Sequence, residues 1–182
     1  MVTDRLEGPA GDTEAARAYQ RELQPVILHL ALIYRDREDI QAAYFAYFIS
    51  HHPLRRHQAM EAIQDVMVKY MSKESLYCRV NALQALYAFG SPERVAEAVA
   101  ALDRGGRFLH EKILTDGLLS FTGSHEQLTA LLLERLDSFS VTTKLSVLNY
   151  VRFRSGDYGE RMMEILSNPA EDKELHLAAI RY

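Results

Sequence analysis

Three glycines recur at a constant interval in the second half of the chain, and this interval restricts the folds that the chain can adopt. Gly90, Gly123 and Gly156 stand 33 residues apart, and each separates two stretches with helical spacing of apolar residues. A further stretch of the first kind runs from Glu174 to Ile180. A period of this length, with one helical hairpin in each period, is typical of a stacked repeat array. The chain is therefore predicted to be all-α.

The turns between the paired stretches carry residues that begin and end helices. Gly90 is predicted to end one helix in a left-handed conformation, Ser91 to cap the next helix, and Pro92 to occupy its first turn. Ser124 and Gln127 have the spacing of a capping box at the corresponding place in the next copy. The local chemistry thus predicts the same helix, short turn and helix as the periodicity does.

The first part of the chain has helical spacing without the regular interval. Residues 1–12 are polar and contain Gly-Pro, so they are predicted to be a flexible lead-in. Residues 13–182 are predicted to form one domain, with divergent helices over 13–71 and regular repeats over 74–182. The predicted N-terminal helices span 13–23, 25–34, 37–50 and 53–71.

Residues 141–153 carry a competing pattern. The stretch is rich in β-branched residues and alternates in part with a period of two, which is typical of a strand. Its place in the repeat predicts a first helix. Because the repeat register places a first helix here, the stretch is predicted to be helical.

The residues around Gly90 resemble a known family. The stretch RVNALQALYAFGSPE at 79–93 is similar to the bacterial HEAT-like repeat consensus, which is also met in phycobilin-lyase-type proteins. The resemblance covers 74–182 well and 37–71 loosely. It implies a HEAT-like α-solenoid, a right-handed α-α superhelix of about four helical hairpins plus a C-terminal half-repeat. Such armadillo-like helical repeats host many unrelated functions, so the resemblance concerns the fold.

Composition and charge disfavour several classes of function. The net charge of −4 and the absence of Trp disfavour nucleic-acid binding. The single cysteine, Cys78, fits a reducing compartment, and the N-terminus has no apolar core of a signal peptide. The longest apolar run, residues 26–34, is too short to insert into a membrane. A cytoplasmic location is expected, with membrane association through a segment upstream of Met1 left open.

Two His-Glu pairs are the strongest candidates for metal binding or catalysis in the repeats. HEAT-like deoxyhypusine hydroxylases are similar in holding iron with His-Glu pairs on several repeats. Here the pairs at 110–111 and 125–126 begin helices at non-equivalent positions, and the predicted equivalents of His110 are Tyr77 and Thr142. The pairs are therefore interpreted as helix-start residues, with no metal and no cofactor. A lyase-like or hydroxylase-like enzyme stays the alternative to a non-catalytic protein.

The densest polar cluster lies at residues 51–57. Arg55, Arg56 and His57 follow Pro53 at a predicted helix start, where an anion can bind. A metal site of His52, His57 and Glu61 is the weaker alternative. An exposed first turn without a ligand is the favoured interpretation.

Several charged positions inside the repeats have structural explanations. Asp116 lies where apolar residues are expected, and Lys112, four residues earlier, is predicted to pair with it. Gly117 is predicted to permit close helix packing. Arg79, Lys112 and Lys144 share one repeat position, where they either recognise an acidic partner, cover the hairpin junction or pair with acids in the adjacent repeat.

The leading hypothesis for function is a scaffold that binds another protein. The second helices of the hairpins, at about 54–71, 92–103, 124–137 and 157–167, are predicted to line one curved face. The predicted partner-binding residues on it are Arg94, Glu97, Glu126, Glu134, Arg135, Glu160, Arg161 and Glu164. Their mixed signs predict a protein ligand. The apolar residues of 174–182 predict either a longer chain or self-association through an open C-terminal repeat.

Overall fold

Every regular element in the described part of the chain is helical. The computed structural model describes residues 14–37, 45–46, 61–106, 109–154 and 156–182, and it has no strand within them. The helices are α1 (Glu14–Tyr34), α2 (Glu61–Lys69), α3 (Leu76–Phe89), α4 (Pro92–Arg104), α5 (Glu111–Leu119), α6 (His125–Glu134), α7 (Val141–Val151), α8 (Gly159–Ser167) and α9 (Lys173–Ile180). Short 3-10 turns at Tyr70–Ser72 and Leu136–Ser138 follow α2 and α6. The predicted all-α class is confirmed for these residues.

Helix α1 corrects the prediction of two helices separated near Pro25. It is continuous from Glu14 to Tyr34 with Pro25 inside it. Proline removes the hydrogen bond to the carbonyl four residues earlier, here that of Arg21. Pro25 and Arg21 are both exposed, so the freed carbonyl is accessible to water and the helix continues through the proline.

From α2 to α7, and again for α7 and α9, helices that are two apart in the chain lie side by side. In one layer, α5 packs against α3 and more extensively against α7, and α7 packs against α9. In the other layer, α4 packs between α2 and α6. Neighbouring helices, such as α3 with α4 and α8 with α9, contact each other across the layers. We call α3, α5, α7 and α9 the first-helix layer, and α2, α4, α6 and α8 the second-helix layer.

The side chains at the helix starts confirm the predicted caps. Ser91 Oγ accepts a hydrogen bond from the N–H of Arg94, and Ser124 Oγ accepts one from the N–H of Gln127. Pro92 occupies the first position of α4. The predicted starts of the second helices therefore follow from residues next to them in the sequence.

The conformation of Gly90 corrects the predicted left-handed cap. Its φ of −68° and ψ of 159° are extended, and its N–H donates to Leu86 O at 2.7 Å. A Cβ atom on Gly90 would lie 2.6 Å from Leu86 O, so glycine is needed for close approach. Among the residues that the structure describes, the glycine in the left-handed conformation is Gly106, with φ of 59°, after α4.

The β-branched stretch at 141–153 folds as the repeat register predicted. Val141–Val151 forms α7, which Ser140 caps by accepting from the N–H of Thr143. Val147 and Val151 are fully buried. Burial between α5 and α9 outweighs the preference of these residues for strands, because that preference depends on context.

The last helix packs with one face only. Leu175 and Ala179 of α9 are buried against α7 and α8, whereas Leu177 and Ile180 are 44% and 67% exposed. Among the helices described, none combines the length and the apolar character required to cross a bilayer.

Candidate functional site

The predicted partner-binding residues all lie on the second-helix layer. Four carboxylates, Glu126, Glu134, Glu160 and Glu164, are exposed. The remaining four residues, Arg94, Glu97, Arg135 and Arg161, are half-buried. We call the exposed side of α4, α6 and α8, with the turn at 135–138, the second-helix surface.

Arg94 and Arg161 are bound to carboxylates of the protein itself. The Arg94 guanidinium lies 2.6 Å from Asp65 of α2 and 2.7 Å from Glu97 of its own helix. The hydrogen bond that Arg94 donates to Glu97 is the main reason that the pKa of Arg94 is raised. Such a bridge joins neighbouring helices of the second-helix layer.

Arg161 repeats this arrangement on α8. It contacts Asp137, in the turn after α6, at 2.7 Å and also pairs with Glu164 three residues later. Its hydrogen bond lowers the pKa of Asp137, so that carboxylate stays ionised to a lower pH. Both arginines thus fix one hairpin to the preceding one, which sequence spacing does not show.

The remaining charge of the second-helix surface is acidic. Residues 92–104, 125–138 and 159–167 contain eight carboxylates and four arginines, and no lysine. Because Arg94 and Arg161 are each held between two carboxylates, the side chains that face solvent are mainly acidic. The sequence predicted charges of both signs on this surface. In the structure, its exposed charge is mainly acidic, and two of its arginines lie in internal ion pairs.

A cleft at the C-terminal ends of α4 and α6 brings two predicted residues together. Its volume is about 510 Å³, and it is lined by Glu97, Ala100, Asp103, Arg104, Arg135, Ser138 and Phe139. Asp103 accepts hydrogen bonds from the N–H of Ser140 at 3.1 and 3.2 Å and from its hydroxyl at 2.5 Å. Glu97 and Arg135 thus share one depression of the second-helix surface.

The two His-Glu pairs lie at helix starts, as predicted. His110 Nδ1 accepts from the N–H of Lys112 and caps α5, and Glu111 accepts from the Asn149 amide. Within the described ranges, no group of three or more His, Cys, Asp and Glu side chains is placed to hold a metal ion. The neighbouring first helices are capped by Ser75 and Ser140, and not by the predicted equivalents of His110, Tyr77 and Thr142.

His125 belongs to a buried polar cluster that sequence reasoning missed. Its Nδ1 lies 2.9 Å from the Tyr150 hydroxyl, and Thr129 Oγ1 donates to the His125 carbonyl at 2.7 Å. Burial, and then the positive charge of Arg154, lowers the pKa of His125. His125 and Thr129 are four residues apart on α6, and this spacing was a usable signal. The cluster fastens the start of α6 to the end of α7.

Of the three basic residues predicted to share one repeat position, Arg79, Lys112 and Lys144, the first and the last bind groups of the protein itself. Arg79 donates to the carbonyls of Lys73 and Glu74 at 2.6 and 2.7 Å. Lys144 and Glu171 form an ion pair of 2.8 Å and are 14% and 16% exposed. Arg79 thus covers a hairpin junction and Lys144 pairs with an acid that precedes α9, and both are structural roles that were predicted for this position.

The structure confirms the predicted close packing at Gly117 but does not show the predicted ion pair of Asp116. Asp116 is exposed, and the ion pairs among the described residues do not include the predicted one with Lys112. Close packing at Gly117 is confirmed, since a Cβ atom there would lie 2.2 Å from Tyr87 Cε2.

The predicted anion site cannot be placed on this surface. Arg55, Arg56 and His57 lie outside the described residues, as does most of the predicted helix at 37–50. Phe45 and Ala46 are helical and buried.

Comparisons with protein-family models, with curated proteins and with solved structures found no match for this chain.

Proposed function

We propose that this chain is a HEAT-like solenoid whose second-helix surface binds another protein without catalysing a reaction. In this proposal the hairpins form a right-handed superhelix, and the second helices line its binding face. The observation that carries the proposal is the packing of α4 on both α2 and α6, with α8 tied to the turn after α6 by the ion pair of Arg161 and Asp137. This arrangement supports a row of second helices, which is the surface that extended partners use in solenoids.

The chemistry of that row favours a basic partner. Its exposed side chains are mainly carboxylates, and Glu126, Glu134, Glu160 and Glu164 face solvent on successive helices. Charge complementarity at such a surface speeds association and excludes acidic ligands, including nucleic acids. We therefore propose a partner segment rich in Lys and Arg.

The internal ion pairs support a binding role because they hold the row in one arrangement. Arg94 and Arg161 each tie a second helix to the preceding part of the layer. A surface that is already ordered loses less conformational entropy on binding. The cleft between α4 and α6 provides a place for one long side chain of the partner.

Affinity capture from the source cell, combined with charge reversal, tests the proposal. The test variant is Glu126→Lys with Glu160→Lys, and the control is Asp116→Lys with Glu174→Lys on the first-helix layer. All four residues are exposed and both variants change the charge equally. We expect the test variant to weaken the captured partner by about 10-fold or more at low salt, and the control to retain it.

Three results would contradict the proposal. Equal capture by both variants would remove the second-helix surface from the function. Stoichiometric iron or zinc in the purified protein would contradict a non-catalytic scaffold. Retention of DNA at low micromolar protein would point to nucleic acid.

A further inference from the structure

Helix α9 carries exposed apolar side chains on the side that faces away from the core. Leu175 and Ala179 are buried, whereas Leu177 and Ile180 are 44% and 67% exposed. The main contacts of α9 within the described residues are with α7 and α8. By contrast, α5 and α7 each pack between two helices of the first-helix layer. The outer side of α9 is therefore a helix face without a neighbour among the described helices.

Helical spacing places five exposed residues on this outer side. Lys173, Leu177 and Ile180 follow one another at intervals of four and three residues, so they lie on one face. Glu174 and Arg181 are seven residues apart, which is about two turns, and they lie along one edge of that face. All five side chains are exposed, and we call them the outer face of α9.

The charged residues of the outer face are not paired within the described protein. The ion pairs among the described residues include neither Lys173 nor Glu174 nor Arg181. Arg94 and Arg161 of the second-helix layer, by comparison, each contact two carboxylates. The carboxylate and the guanidinium on the edge of the outer face are thus both available to opposite charges on another molecule.

An antiparallel pair of α9 helices brings these charges together. In such a two-fold pair, the same edge of both helices lies on the same side of the contact and runs in opposite directions. When the contact is centred close to Leu177, Glu174 of each copy lies beside Arg181 of the other. Leu177 then packs on its symmetry equivalent, and Ile180 lies over the aliphatic part of the other copy's Lys173 side chain. The outer face is therefore complementary to itself.

The direction of the two helices is set by the same charges. A parallel pair would place this edge of the two helices on opposite sides of the contact, where Glu174 and Arg181 cannot meet. Antiparallel helices also bring the positive N-terminal end of each dipole to the negative C-terminal end of the other. Both effects favour the antiparallel arrangement.

We propose that two copies of this chain associate through the outer face of α9 as an antiparallel, two-fold symmetric pair. Helix α9 has eight residues, and it covers less surface than the roughly 800 Å² per partner of a standard interface. The dimer is therefore weak and depends on protein concentration. The pairing uses no residue of the second-helix surface, so it does not depend on the proposed binding of another protein.

Sedimentation velocity of the purified full chain tests this proposal. Between about 5 and 500 µM protein, a dimer with so small an interface should change from mainly monomer to mainly dimer. Ile180→Glu introduces a charge into the apolar centre of the contact, and we expect it to remain monomeric over this range. Leu32→Glu is the matched control, because Leu32 lies on α1 and is 66% exposed. We expect it to dimerise as the unmodified chain does.

Exchange of the two edge charges tests the antiparallel arrangement. Arg181→Glu places carboxylates opposite each other at both ends of the contact and is expected to weaken the dimer about 10-fold. Glu174→Arg should have a similar effect. The double variant with both changes should dimerise nearly as well as the unmodified chain, because each new arginine faces a new glutamate. Circular dichroism verifies that each variant is folded.

The proposal fails if the unmodified chain is monomeric at all of these concentrations. It also fails if Ile180→Glu dimerises as strongly as the unmodified chain, or if Leu32→Glu is as monomeric as Ile180→Glu. A double variant that dimerises no better than Arg181→Glu would overturn the antiparallel arrangement. These measurements concern the purified chain alone, so their outcome is separate from the capture of another protein.

Discussion

Two parts of the first-helix layer differ in the side chains that fill the space between neighbouring helices. Around α7, small polar residues are buried and hydrogen-bonded: Thr115 Oγ1 donates to Ser146 O at 3.2 Å, and Ser146 Oγ donates to Thr142 O at 3.1 Å. Between α3 and α5, the large ring of Tyr87 meets Gly117, and the helices leave beside it a groove of about 310 Å³, which we call the α3–α5 groove. Small residues let helices approach along their length, whereas one large side chain opposite glycine gives a single close contact.

The two regions also contain contrasting buried tyrosines. The Tyr150 hydroxyl of α7 lies 2.9 Å from His125 Nδ1 and 3.4 Å from Thr129 Oγ1. The Tyr87 hydroxyl of α3 makes no hydrogen bond to the described residues. An unsatisfied buried polar group lowers the free energy of unfolding. The Tyr150 hydroxyl therefore stabilises the α7 region, whereas the Tyr87 hydroxyl lowers the stability of the α3–α5 region.

The largest difference is expected from placing leucine in each region. Ser146→Leu adds volume at a fully buried position and is expected to lower the free energy of unfolding by about 1–3 kcal/mol. Gln84→Leu replaces an exposed side chain in the wall of the groove with an apolar one of similar size, with an expected change within about 0.5 kcal/mol. Urea denaturation measures both. Equal losses would mean that the groove is as tightly packed as α7.

Gly117→Ala tests the single close contact between α3 and α5. Alanine favours a helix over glycine by about 1 kcal/mol, so an open site would be stabilised. The contact with Tyr87 predicts the opposite sign, a net loss of about 1–2 kcal/mol. Thermal denaturation decides between them. Tyr87→Leu combined with Gly117→Ala should recover part of the loss, because leucine has no ring at that place.

Removing each tyrosine hydroxyl compares the contributions of the two buried phenols to stability. Tyr150→Phe leaves His125 without its partner and is expected to lower the free energy of unfolding by about 1 kcal/mol. Tyr87→Phe removes an unpartnered hydroxyl and is expected to be neutral or stabilising. The same denaturation experiment compares them. A larger loss for Tyr87→Phe would show that its hydroxyl is satisfied within the protein.

The smallest expected effect is a pH dependence of the α7 region. The pKa of His125 is lowered in the folded protein, so the unfolded chain binds more protons below the ordinary pKa of 6.5. Stability should therefore be complete above pH 6.5 and fall as the pH decreases below it. The change is expected to stay well under about 1 kcal/mol, because the side chain is only half-buried and solvent screens it.

Denaturation at pH 7.5 and 5.5 measures this dependence. In His125→Gln the fall should be smaller than in the unmodified chain, whereas His29→Gln, at an exposed position on α1, should leave it unchanged. A fall of the same size in His125→Gln would assign the dependence to other groups.

Residues that act on their sequence neighbours made much of the fold predictable. Ser91, Pro92 and Ser124 start α4 and α6 through contacts within three residues, so these two second helices were located from the sequence. The helix at α7 was predicted against its β-branched composition because the repeat interval placed it there. Pro25 misled the prediction for α1, since whether a proline ends a helix depends on the exposure of the carbonyl it leaves free.

The candidate site was predictable only in part. The exposed carboxylates Glu126, Glu134, Glu160 and Glu164 were located correctly on the second-helix layer. The roles of Arg94 and Arg161 were not, because their partners Asp65 and Asp137 lie on other helices or turns. The residue that packs on Gly117 was likewise not predicted, since 30 positions separate it from Tyr87 and the two meet only after α3 and α5 pack.

The sequence by itself determined the helical class, the starts of α4 and α6 and the acidic balance of the chain. These depend on composition, on periodicity and on hydrogen bonds between residues close in the chain. The tertiary structure decided which charges are internal ion pairs, which buried hydroxyl has a partner and where a groove remains. Those outcomes depend on distances between side chains on different helices, and helix packing alone determines such distances.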